Sequence, residues 1–164
     1  MGGRLRRAAA ATAALLAITL TVGCGRSAEP VPEAPAYADP GFVEAHGWRL
    51  YYALTATQDL PSAIAGSYGI VQRPNLALLV IALEPSSPGE AADAAGAAAE
   101  ATAIGLTGER TALSLSRHDE AGRPTWLATV EVRQRVPITI EMEARATAAG
   151  PALRARLTRE FRFD

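Results

Sequence analysis

One thiol, two imidazoles and a set of closely spaced carboxylates are where chemistry could start in this chain. Cys24 is the only cysteine. A lone thiol can accept an alkyl group from a lipid donor, but it cannot form a disulfide within its own chain. His46 and His118 are the only histidines. A closed metal site needs about four ligands at suitable spacing, and two isolated imidazoles do not supply them. They read as solvent-exposed turn residues, and no metal or other cofactor is expected. Nucleophilic catalysis needs a hydroxyl or thiol beside a base. The chain has no Gly-x-Ser-x-Gly, and the absence of lysine removes any Ser-x-x-Lys. It also lacks a phosphate-binding loop and a Gly-x-Gly-x-x-Gly turn. Glu141 and Glu143 could be imagined as a glycosidase pair. Their alternation with apolar residues, and the arginines downstream, instead suggest ordinary ion pairs. No catalytic residue is assigned, and the expectation is that the protein is not an enzyme.

Cys24 closes a leader. Arg4, Arg6 and Arg7 form a positive end, and Ala8 to Val22 is uncharged. That run is shorter than the roughly 20 apolar residues a bilayer span requires, so residues 1–23 read as an export signal. Leu20-Thr21-Val22-Gly23-Cys24 resembles the bacterial lipobox, with Thr21 where leucine is more usual. Cleavage is expected between Gly23 and Cys24, with lipid (palmitate among it) on Cys24. One acyl chain anchors only marginally, so stable anchoring needs several. Gly25, and not aspartate, follows Cys24, which points to the outer membrane over the inner by the enterobacterial sorting rule. The protein is expected to be exported, lipid-anchored and periplasm-facing.

Removing the leader leaves thirteen arginines against seventeen carboxylates, a net charge of −4. This weakly acidic balance argues against nucleic-acid partners. Residues 24–40 carry four prolines and no apolar period, which reads as a disordered tether. Residues 41–164 form the domain.

That domain reads as β structure. Residues 126–132, 136–144 and 153–163 alternate apolar and polar side chains, the signature of half-buried antiparallel strands. Pairing the last two as a hairpin can set Glu143 opposite Arg154 and Glu141 opposite Arg156, as cross-strand ion pairs. Arg159 breaks the apolar set. Earlier strands are expected at 48–56, 75–83 and 111–117, with a helical turn at 61–65 that starts on Pro61. The alanine-rich 91–103 stays open. Propensity favours helix there, while Gly96 and the surrounding β pattern favour strand. The expected architecture is a small antiparallel β-sandwich, immunoglobulin-like, with a small β-barrel as the alternative.

The long 57–75 connection holds Tyr68, Arg73 and Asn75, the candidate binding residues. The competing reading has Tyr68 and Ile70 plugging one end of the sandwich. Two functions follow. One is a non-catalytic binding or structural module that meets an envelope protein or cell-wall component through a sheet edge or this loop. The other is a carrier or sensor of a small apolar ligand.

Several short elements resemble domain-of-unknown-function family 4426, small exported proteins of proteobacteria. They are Leu50-Tyr51-Tyr52-Ala53, Leu60-Pro61, Tyr68-Gly69-Ile70, Arg73, Leu106-Thr107-Gly108 and Phe161-Arg162-Phe163. The chain departs from the family at Pro74, Leu79 and Gly105, where the family carries serine, asparagine and asparagine. The resemblance implies a compact β domain and a strand over part of 97–105. It implies no activity.

Overall fold

A computed structural model describes residues 41–87, 95–120 and 122–163. The leader, Gly23, Cys24, the tether and residues 91–94 of the alanine-rich stretch lie outside the described residues. Nine strands form two antiparallel sheets among the described residues. The strands are β1 (Gly41–Ala45), β2 (Trp48–Ala56), β3 (Leu76–Pro85), β4 (Ala98–Ile104), β5 (Arg110–Ala112), β6 (Ser116–Glu120), β7 (Arg123–Glu131), β8 (Ile138–Arg145) and β9 (Leu153–Arg159). One sheet has the order β1-β2-β3-β7-β6 and the other β5-β4-β8-β9. This is the expected immunoglobulin-like sandwich.

The core follows from strand alternation. Leu50, Leu54, Leu79, Ile81 and Leu83 point inward from the five-stranded sheet and meet Ile140, Met142, Ala144 and Leu153 from the other. With few aromatics, aliphatic side chains carry most of the burial, each contributing roughly 1.5–3 kcal/mol when fully buried. Leu79 is fully buried. An asparagine there would place an amide among leucines, so this departure from the family pattern belongs to the core.

The hairpin of β8 and β9 has the expected register, with Glu141 opposite Arg156 and Glu143 opposite Arg154. Arg159 has a structural reason for interrupting the apolar face. Its guanidinium donates to the Leu54 carbonyl of β2 and lies 5.1 Å from the Phe161 ring centre, so it joins the two sheets at one end. Partial burial lowers its pKa from the ordinary value.

Three readings need correction, and one left open is settled. The strand expected at 111–117 is two strands in different sheets. β5 belongs to the four-stranded sheet and β6 to the five-stranded one, and Leu113–Leu115 cross between them. The crossing is stabilised because Leu113 donates its N–H to Ala101 O (2.9 Å) while Leu113 and Leu115 pack against the core. The stretch left open at 91–103 is strand from Ala98 onward, as the family resemblance implied for part of 97–105, since β8 offers it a full ladder from Arg145 to Thr139. The last strand ends at Arg159, and Phe161 keeps only an isolated bridge to Gln134. β1 lies outside every strand expected from the sequence. It pairs with β2 through a two-residue turn, His46 (φ 56°) and Gly47 (φ 77°), and that left-handed pair is what a tight hairpin requires.

Candidate functional site

The 57–75 connection is held down at both ends of its excursion. Thr57 is fully buried and forms a reciprocal pair with Arg73. Its hydroxyl donates to Arg73 O (2.9 Å) and accepts from Arg73 N–H (2.9 Å). Gln72 donates its side-chain amide to Leu60 O (2.7 Å). Between these ties, Pro61 caps a short helix, α1 (Ser62–Ser67). Proline suits this position because the first helical N–H groups have no intrahelical acceptor. Gly69, at φ 66°, reverses the chain after the helix, a conformation glycine adopts without strain. Ile70 N–H then bonds Ala65 O (2.8 Å) and closes the turn.

This excursion lies over the outer face of the five-stranded sheet and does not plug the end of the sandwich. Leu78 and Leu127 are buried yet stand apart from the inter-sheet core, because the excursion covers them. Tyr68 meets His118 of β6 edge to face, with ring centres 5.6 Å apart and planes at 83°. His118 is therefore a half-buried strand residue and not an exposed turn residue. Its side in the ladder explains this: Ser116 and His118 stand opposite Leu127 and Thr125 on the covered face.

Between the 68–73 segment and the start of β6 runs a trench of about 360 Å³. Its floor is Leu76, Leu78 and Leu127. Tyr68 and Arg73 stand on one side, Ser114, Ser116 and His118 on the other, with Thr129 at one end. The trench thus joins an apolar floor to an arginine, an imidazole and several hydroxyls. These are recognition groups, able to hold a polar or anionic ligand. Among the described residues no three His, Cys, Asp or Glu side chains stand together as a metal site would need.

Tyr68 and Arg73 therefore share one site. Asn75 does not. It lines a larger cleft of about 850 Å³ on the inner side of the sheet, and its carbonyl accepts the Val132 N–H (2.9 Å). Ala103, Leu113, Val130, Val132 and Ile138 give this cleft an apolar lining, with Glu109 and Glu131 among its polar residues. Leu106 is 68% exposed on the β4–β5 loop beside it. A Cβ on Gly105 in that loop would come within 2.5 Å of Glu109 Oε1, so the exposed Glu109 side chain would have to swing aside. Sequence reasoning missed Ser114, Ser116 and Thr129. Their hydroxyls carry no motif; the β5–β6 crossing brings Ser114 and Ser116 to the trench, where they meet Thr129 of β7.

A third depression, about 530 Å³, lies on the charged face of the four-stranded sheet. Glu141 and Glu143 there are each held by arginines. Arg110 meets Glu141 at 2.7 Å, and Arg154 and Arg145 meet Glu143 at 2.7 and 2.5 Å. The Arg110 bond holds the Glu141 carboxyl below its ordinary pKa, and the Arg154 bond does the same for Glu143. Both lowered values run against the general-acid role of a glycosidase pair, which needs a carboxyl that holds its proton.

A family model described as a domain of unknown function, DUF4426, matches residues 43–164. A crystal structure of a DUF4426 family protein from Pseudomonas aeruginosa PAO1 superposes with a TM-score of 0.60 at 19% identity, covering 76% of this chain and 96% of that one. FetP of uropathogenic Escherichia coli strain F11, recombinantly expressed in the periplasm, gives a TM-score of 0.48 at 10% identity over 75% of this chain and 93% of that chain. A copper-bound variant of FetP gives 0.44 at 11% identity, over 76% and 94%. No curated protein sequence matches.

Proposed function

The chain belongs to the DUF4426 family, and from that premise we propose that it is a non-catalytic binding module of the cell envelope. The observation that carries this is the trench. A segment stapled by Thr57 and Gln72 brings Tyr68 and Arg73 over a sheet face, opposite His118 and two serines. The arginine, imidazole and hydroxyls converge as groups suited to recognising a polar or anionic ligand. The partner is an envelope protein or cell-wall component.

The leader supports delivery by export and lipidation at Cys24, with the domain facing the periplasm from the outer membrane. The Cys24→Ser variant should lose palmitate labelling and accumulate as unprocessed precursor. Cleavage after Gly23 in that variant would contradict the lipobox.

The binding reading is tested by capturing partners from crosslinked envelopes. Arg73→Ala and Tyr68→Ala should each deplete partners that the wild type retains. Identical profiles would remove the trench from the account. A second reading, a carrier of a small apolar ligand, draws on the apolar inner cleft of about 850 Å³. That size suits a small molecule. Native mass spectrometry of the purified protein should then show a co-purifying mass.

A further inference from the structure

We propose that the trench and the inner cleft are two sides of one vacant strand position, which takes an extended peptide whose alternate side chains are apolar and acidic. This rests on the binding-module reading and names the partner's chemistry.

The position is defined by where β6 stops. β6 pairs with β7 only from Glu120–Arg123 to Ser116–Leu127. Beyond Leu127, β7 continues to Glu131 and remains paired with β3 on its other side. The chain that would have continued β6 has crossed instead to the other sheet, where Leu113 bonds Ala101. Val132 directs its N–H toward the β3 side, onto Asn75. Backbone groups alternate in direction along an antiparallel strand. Val130 and Ala128 therefore also face β3, while Thr129 and Glu131 face the side where β6 is missing. No described strand pairs with them there. An open edge of this kind is a template for strand addition.

Cavities flank this edge on both faces of the sheet. The trench lies on the outer face and the cleft on the inner, and both are lined by Thr129 and Ser114. A strand added beside β7 would send successive side chains alternately to the two faces. Those entering the cleft meet Ala103, Leu113, Val130 and Ile138, which select apolar groups. Those entering the trench meet Arg73, His118 and hydroxyls. The cationic Arg73 sets the charge preference there, and an acidic side chain complements it. A bare hydrophobic ligand would fill the cleft but leave the edge N–H and C=O groups of Thr129 and Glu131 unused.

The test uses the purified full-length chain in detergent and a capped heptapeptide alternating glutamate and valine. Amide hydrogen exchange is followed residue by residue. The peptide should slow exchange at Thr129 and Glu131 at least tenfold, and a version N-methylated on the glutamates, whose amides face β7 in an antiparallel pair, should not. Replacing its glutamates with lysine should weaken binding at least tenfold, and Arg73→Glu should reverse that preference. Thr129→Pro removes an edge donor without touching the β3 ladder, and should abolish binding. Should that variant misfold, the N-methylated peptide on wild-type protein tests the same edge bonds. Unchanged exchange at both residues, or equal protection by the N-methylated peptide, would overturn the proposal. If exchange is unchanged while Arg73→Ala still loses envelope partners, strand addition falls and the binding-module reading stands.

Discussion

Thr57 shows how one hydroxyl can shape a site it never enters. Its reciprocal bonds to the Arg73 backbone fix where the 57–75 excursion returns to the sheet. Thr57→Val keeps the shape of the side chain but leaves the Arg73 N–H without its partner, while the Arg73 carbonyl keeps the Leu76 N–H (3.2 Å). A loss of about 1–3 kcal/mol follows from such an unsatisfied donor, measured as a lower urea midpoint at unchanged slope. Partner capture should weaken with it, since Arg73 would no longer be held over the trench. Tyr68 and Arg73 were legible in the sequence because a long connection carrying an aromatic and a cation stands out. Their partners were not. His118 looked like a turn residue beside Asp119 and Glu120, and only the β6–β7 ladder shows that it faces Tyr68.

At the scale of elements, strand alternation was the readable signal. β2 occupies the expected residues, and the β8–β9 register follows from pairing apolar faces with opposite charges. β1 escaped notice because it is five residues long and ends in a turn containing a non-glycine left-handed residue, His46. The break between β5 and β6 was invisible for a different reason. Alternation persists through Leu113 and Leu115, which stay against the core while the backbone changes sheets. The paired carboxylates give this level a pH prediction. Glu141 and Glu143 have pKa values lowered in the folded state by their arginines. Their contribution is therefore complete above the ordinary carboxylate value of about 4 and is lost as pH falls through the folded values. Thermal midpoints should drop between about pH 5 and pH 3. The Glu141→Gln/Glu143→Gln double variant should show a flatter profile, and added salt should shrink the difference because these groups are solvent-exposed.

Across the whole molecule, the two sheet surfaces have different characters. The four-stranded sheet presents arginines and glutamates already bound to each other. The five-stranded sheet presents an excursion, a trench and an open edge on β7. The proposed partner site is the second surface. Site-specific photo-crosslinking in intact cells tests this most directly, with the reactive group at Ser114 beside the trench or at Arg156 on the charged face. Ser114 should yield a discrete adduct that is lost with Arg73→Glu, and Arg156 should yield none. Adducts from Arg156 alone, or the same adducts from both positions, would contradict it.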